Sequence, residues 1–183
     1  MNLGKIKDIG KLEKELLEVG KTYNEMFRNR KIKAIDNVHD GFKKFFKDNE
    51  FDVKENGKEV EATYGNTRII ISKANYEDSY FGAYSSWELT CSADKSKYRI
   101  LLNELNYYPT VKSSIGHYKK LTDDEKQDEE IQKAKERLEN MKKTVEEFYT
   151  IKWGYELVNE NENENEECPQ FESIEELLNS IFE

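Results

Sequence analysis

Two histidines and two cysteines are the whole stock of imidazole and thiol chemistry in this chain of 183 residues. His39 lies in Asp36-Asn37-Val38-His39-Asp40. On a helix Asp36, His39 and Asp40 share one side, where two carboxylates and an imidazole can ligate a divalent ion. The same composition also makes an ordinary solvated helix face, and no second histidine is near. No metal or other cofactor is therefore expected. His117 sits among serine and glycine in Ser113-Ser114-Ile115-Gly116-His117-Tyr118. Cys91 falls in a strand pattern with no histidine to activate it, and Cys168 stands in an acidic segment. Two isolated cysteines make neither a metal signature nor a disulfide framework. There is no Gly-x-Ser-x-Gly elbow and no glycine-rich phosphate loop. With 38 Asp and Glu in the chain, carboxylate pairs carry no information. The expectation is a protein that is not an enzyme.

Contact chemistry is better represented. Tyr76, Tyr80, Phe81 and Tyr84 are spaced among Ser, Gly and Asn between two strand patterns, the make-up of a contact loop in which rigid aromatic anchors alternate with small adaptable residues. A second aromatic loop, Asn106-Tyr107-Tyr108-Pro109, follows the next strand. Arg28, Arg30, Lys31, Lys33, Lys43, Lys44 and Lys47 form a basic stripe over residues 28–47, of the kind that meets phosphates. The run Asn159-Glu160-Asn161-Glu162-Asn163-Glu164-Asn165-Glu166-Glu167 is a low-complexity acidic segment. It reads as a solvated linker or as an acidic contact surface carried by Glu160, Glu162, Glu164, Glu166 and Glu167.

The formal net charge is −9, and its location matters more than its size. Residues 1–150 hold 28 basic and 28 acidic side chains, whereas residues 151–183 hold one basic residue, Lys152, and ten acidic ones. The body is neutral and the excess is confined to the C-terminal segment. Hydrophobic residues make up 36% of the chain and aromatics 12%, too aromatic for disorder. No apolar run approaches the roughly 18 residues of a membrane helix, and Met1–Asp8 lacks the apolar core of a signal peptide. A cytoplasmic protein is expected.

The elements that must position these residues follow from periodicity. Ile9, Leu12, Leu16, Val19, Tyr23 and Met26 mark one amphipathic helix. After a slip of phase near Arg30, Ile32, Ile35, Val38, Phe42 and Phe45 mark a second helix, or a kinked continuation, ending near Asp48. Period two then takes over. Phe51 and Val53 lead to the Asn56-Gly57 hairpin signal, read as a turn in which both residues tolerate positive φ. Val60, Ala62 and Tyr64 follow, and Gly65-Asn66 turns into Ile69–Ile71. Trp87, Leu89 and Cys91 come next, then Tyr98, Ile100 and Leu102. Thr122-Asp123-Asp124-Glu125 matches a capping box that opens a helix with the stripe Ile131, Ala134, Leu138, Met141, Val145 and Phe148, expected to pack on the sheet rather than in a self-associating coiled coil; where it overhangs the sheet it needs the N-terminal helix or a second subunit as partner. Ile151, Trp153, Tyr155 and Leu157 form a last strand. A second capping box at Ser173–Glu176 opens a short helix.

The fold class that results is α+β: an antiparallel sheet of about five strands, with the N-terminal helices and one long helix packed on one face and a short C-terminal helix. The domain reading is a single domain over 1–158, an acidic linker over 159–169 and an amphipathic helix over 170–183. In function, the expectation is a small acidic binding protein that inhibits or sequesters a partner with a basic surface, such as a nuclease or nucleoprotein. Immunity-type and phage anti-defence-type inhibitors work in this way. The alternative is a nucleic-acid-binding or accessory subunit using the stripe 28–47. No membrane partner is expected, and monomer and homodimer are both left open.

Overall fold

The computed structural model describes residues 3–77, 79–80, 82–105, 122–160 and 168–183. In chain order the elements are α1 (Leu3–Asp48), β1 (Asp52–Glu55), β2 (Glu59–Tyr64), β3 (Thr67–Ser72), β4 (Ser85–Cys91), β5 (Lys97–Glu104), α2 (Asp123–Glu147), β6 (Trp153–Asn159), β7 (Gln170–Phe171) and α3 (Ile174–Phe182). The class is α+β. The strands form one antiparallel sheet of seven, ordered β1-β2-β3-β4-β5-β6-β7, so every spatial neighbour is also the neighbour in sequence. The expected count of about five strands was too low. β1 is the strand read from Phe51 and Val53 before the Asn56-Gly57 turn, whereas β7, of two residues, is too short to display a period.

The chain divides into two compact units, one of residues 1–27 and 107–151, the other of residues 28–106 and 152–183. α1 contributes to both. It is one helix of 46 residues, where the slip of phase near Arg30 was taken as a break or a kink. A slip moves the apolar stripe around the helix without disturbing the backbone, and no proline interrupts the ladder. The helix stops where Glu50 turns to φ 65°. Glu50 N–H bonds the Lys47 carbonyl at 3.1 Å and Phe51 N–H the Phe46 carbonyl at 2.9 Å. This is a Schellman ending, sealed by the Phe46 and Phe51 rings with centroids 5.1 Å apart.

The sheet unit is built on alternation. Val60, Ala62, Ile69, Ile71, Trp87, Leu89, Ile100, Leu102 and Tyr155 are buried on one face. Onto them pack Ile35, Val38, Phe42 and Phe46 of α1 and Ile174, Leu177 and Leu178 of α3. Each such side chain contributes about 1.5–3 kcal/mol when fully buried. The expected α1 stripe holds at Ile35, Val38 and Phe42, and Phe45 packs partly buried against the core beside the fully buried Phe46, while Ile32 is 37% exposed. The opposite face carries Glu59, Glu61, Arg68, Ser72, Glu88, Arg99 and Glu156. The Asn56-Gly57 hairpin forms, but by another device than positive φ, which neither residue takes. The Asn56 side-chain oxygen accepts from the amides of Lys58 at 2.8 Å and Glu59 at 3.0 Å, so an Asx turn reverses the chain.

In the other unit, α2 begins at the expected capping box. Thr122 N–H donates to Glu125 Oε2 at 2.8 Å, and Glu125 N–H donates to Thr122 Oγ1 at 3.3 Å. Lys5 pairs with Asp128 at 2.7 Å, Glu15 with Lys142 at 3.6 Å, and the Tyr23 and Phe148 rings meet edge to face at 5.5 Å. Both residue numbers climb together, so α2 runs parallel to the N-terminal stretch of α1. Their stripes have matching heptads, with Ile9, Leu16 and Tyr23 in step with Ile131, Leu138 and Val145. The expectation that α2 packs on the sheet gives way to this helix pair.

Glycine substitutions in α1 test the packing. A Cβ on Gly20 meets nothing within 4 Å, whereas one on Gly41 runs into the Ile174 side chain of α3. Gly20→Ala is expected to raise stability by about 1 kcal/mol through helix propensity. Gly41→Ala is expected to lower it by about 1–3 kcal/mol through overpacking, despite the same propensity gain. Urea midpoints followed by circular dichroism measure both.

Candidate functional site

Among the candidates for chemistry, the Asp36, His39 and Asp40 cluster is resolved by burial. His39 is 9% exposed and faces the sheet, where its Nε2 accepts from Trp87 Nε1–H at 3.3 Å. That bond fixes the neutral imidazole with its proton on Nδ1. Asp36 and Asp40 are exposed, and Asp40 pairs with Lys43 at 2.8 Å. Among the described residues no three His, Cys, Asp or Glu side chains cluster in a way that could hold a metal ion. His39 is a core residue that orients Trp87. Cys91 is half-buried and Cys168 exposed, and neither is in a disulfide. His117 and the loop 106–109 lie outside the described residues.

The basic stripe and the aromatic loop, distinct in the sequence, meet in the sheet unit. The Arg28 guanidinium lies 5.4 Å from the Tyr76 ring centroid, and the Lys31 ammonium, on a residue only 5% exposed, lies 5.2 Å from it. Arg30 stacks over Trp153 of β6 at 4.3 Å, and Trp153 in turn lies 4.5 Å from the Tyr84 ring. Tyr84 Oη donates a short hydrogen bond to Glu104 Oε1. Lys43 bonds Glu55 at 3.2 Å as well as Asp40. Arg28, Arg30, Lys31 and Lys43 thus have intramolecular partners, while Lys33, Lys44 and Lys47 keep exposed side chains.

The remaining aromatic anchor, Tyr80, lies elsewhere. Tyr80 and Ala83 close a tight turn on each other, Ala83 N–H to the Tyr80 carbonyl at 2.8 Å, with Gly82 at φ 91°. The turn holds the Tyr80 ring 4.5 Å from the guanidinium of Arg99. Arg99 stands on β5 on the polar face, opposite Glu88 of β4 in the ladder. Its Nη2 donates to Glu88 Oε1 at 3.0 Å, its Nε donates to Glu160 Oε1 at 2.8 Å, and Nη2 is in an ion pair with the same Glu160 oxygen at 2.6 Å. Burial weakens the guanidinium charge, but the hydrogen bonds to Glu160 and Glu88 outweigh it and hold Arg99 above the usual arginine range. Glu160 opens the acidic run, directly after β6. One guanidinium therefore joins the aromatic loop to the start of that run.

Phe81, Glu162, Glu164, Glu166 and Glu167 lie outside the described residues. Tyr76, Tyr80 and Tyr84 are all half-buried, each ring held by a cation or another ring. Around the Arg99 junction the polar face carries Asp52, Glu59, Glu61, Glu88, Glu156 and Glu160 against Lys54, Arg68, Lys97 and Arg99, an excess of carboxylate. A shallow cleft of about 530 Å³ beneath the loop is bordered by Ser72, Lys73, Glu77, Ser86, Glu88 and Arg99. Sequence reasoning missed Arg99 and Glu88. Their signal was the hairpin itself, because folding the chain about Ala93–Ser96 sets residues 88 and 99 opposite with opposite charge. Trp153 was read only as a strand residue.

Comparison with protein-family models, curated proteins and solved structures finds no match to this chain. No described helix is long and apolar enough to cross a membrane.

The buried imidazole gives stability a pH dependence. Burial first, and then the charge on Lys73, holds His39 below its ordinary value of 6.5. Stability carried by the neutral ring is whole above about pH 6.5 and is lost as pH falls below that point through the lowered native value. His39→Gln keeps an acceptor for Trp87 but does not titrate. The urea midpoint of the wild type should fall more steeply than that of His39→Gln between about pH 7 and about pH 5. Parallel curves would place the acid sensitivity elsewhere.

Proposed function

We propose that this protein is a non-catalytic binding protein that occupies, and so inhibits or sequesters, a macromolecule with a basic surface, for example a nucleic-acid-processing enzyme. The surface is the polar face of the sheet around Arg99, with Tyr80 of the aromatic loop on one side and Glu160, the first acidic residue after β6, on the other. The observation that carries this reading is the Arg99 junction: Tyr80 and Glu160, picked out as separate contact features, are held on one face by one side chain. Half-exposed aromatic rings fixed in advance lose little entropy on binding, and an adjoining run of carboxylates speeds encounter with a basic partner. An inhibitor of the immunity or anti-defence kind needs no more than this.

The nucleic-acid reading has less to work with. Arg30 and Lys31 are stacked on Trp153 and Tyr76, and Trp153 is flanked by Arg30 and Tyr84, which leaves it poorly placed to stack a base.

The test uses a fluorescein-labelled oligo-arginine peptide as a basic probe. The wild type should bind it at low salt. Deleting residues 161–167 should weaken binding and flatten its salt dependence, because fewer charges are neutralised. Tyr80→Ala should weaken binding about tenfold or more, as loss of an aromatic anchor does, with the salt slope unchanged. Absence of binding at low salt, or indifference to Tyr80→Ala, removes the proposed surface. Retardation of single-stranded DNA that disappears in the Arg28→Ala, Arg30→Ala, Lys31→Ala variant favours the nucleic-acid reading instead.

A further inference from the structure

Arg99 has one partner on the sheet, Glu88 of β4, and one on each of two connections, Tyr80 before β4 and Glu160 after β6. We infer that Arg99 is a positioning residue that couples Tyr80 to Glu160 on the polar face. What happens at Glu160 is then felt at Tyr80, and the reverse. The argument rests on four distances around one guanidinium: 4.5 Å to the Tyr80 centroid, 3.0 Å to Glu88, and 2.8 and 2.6 Å to Glu160. The side chain is 17% exposed, which removes much of the screening that makes surface pairs weak. The planar fork lets Nε and Nη2 grip Glu160 while the face of the group lies against the ring. A lysine ammonium, a point charge, cannot reproduce that combination. Glu88, opposite Arg99 in the β4–β5 ladder, anchors the guanidinium to the sheet, so neither Tyr80 nor Glu160 has to hold it alone.

No direct contact between Tyr80 and Glu160 is needed for the coupling. If Arg99 transmits it, removing the Glu160 charge releases one side of the fork, the guanidinium recentres on Glu88, and the stack on Tyr80 changes. Glu156, which accepts from Asn103 at 2.7 Å on the same face, is a carboxylate of similar setting with no part in the junction, and serves as the control.

Two experiments on the full chain separate this inference from the function proposed above, on which its binding consequence rests. The first needs no partner. In proton NMR spectra, the Tyr80 ring resonances are expected to move in Glu160→Gln in the same direction as in Arg99→Ala, and part of the way in Arg99→Lys. Glu156→Gln should leave them in place. Tyr80 resonances that ignore Glu160→Gln, or that move equally in Glu156→Gln, overturn the inference.

The second experiment uses the oligo-arginine peptide. Tyr80→Ala and Glu160→Gln should together weaken binding less than the product of their separate fold-losses. In the Arg99→Ala background the two losses should simply multiply. Multiplicative losses in the wild-type background overturn the inference even if the spectra behave as expected. A wild type that does not bind the peptide defeats the proposed function, and the spectra alone then decide for or against the role of Arg99.

Discussion

The contact between α1 and one face of the sheet is the interaction on which the remainder of the sheet unit depends. An antiparallel sheet of alternating pattern has one apolar face that must be covered. Here Val38, Phe42 and Phe46 of α1 cover it, reaching Val60, Ile71, Trp87, Leu89 and Ile100, all at or near zero exposure. α3 completes the layer with Leu177 and Leu178, and the close approach at Gly41 allows it to sit against α1. The Trp87 to His39 hydrogen bond belongs to the same layer. It satisfies an indole N–H and an imidazole nitrogen that burial would otherwise leave at a cost. Because both helices of this unit serve one face, the other is available for polar work.

That second face contributes little to stability pair by pair. Arg68 with Glu61 and Lys152 with Glu172, both with well-exposed cations, are the type of surface ion pair that is worth under about 1 kcal/mol. What such pairs determine is arrangement. Arg99 differs from the others in having partners from three segments, and in joining a ring to a carboxylate. The sheet supplies the rigid platform and the connections supply the contact groups, the usual division between scaffold and function.

Much of this was legible in the sequence, for reasons that can be named. Alternation marked the strands from Val60 to Leu102 because burial on one side imposes it. The capping box at Thr122 forms in full, whereas at Ser173 only its first half does: the Ser173 hydroxyl accepts from Glu176 N–H, and the Glu176 carboxylate accepts from Glu172 N–H instead. β7 escaped notice because two residues cannot display a pattern, and its pairing with β6 is a tertiary event. The continuity of α1 escaped because a shift of stripe looks like a break when only periodicity is read. The pairing of α2 with α1 was legible only as one of two alternatives to the sheet: a heptad stripe says that a partner exists but does not choose between the N-terminal helix and a second subunit. Of the site, the aromatic and acidic segments were visible as composition. Their meeting was not, since Arg99 is an unremarkable charge in a strand until β4, β5 and the end of β6 are side by side.

The order of the strands has a consequence for how the chain comes together. In a meander each new strand docks on the one just made, so most pairings close short loops and cost little entropy. The succession is interrupted once. Between Glu104 and Trp153, the first residues to pair across β5 and β6, the chain leaves the sheet to build α2. Pairing β6 with β5 therefore closes a far longer loop than any other strand pairing in the meander, at a larger cost in chain entropy. The Arg99 junction, which needs Glu160 beyond the end of β6, depends on that closure. The surface proposed for partner binding thus rests on the one strand pairing that joins distant parts of the chain.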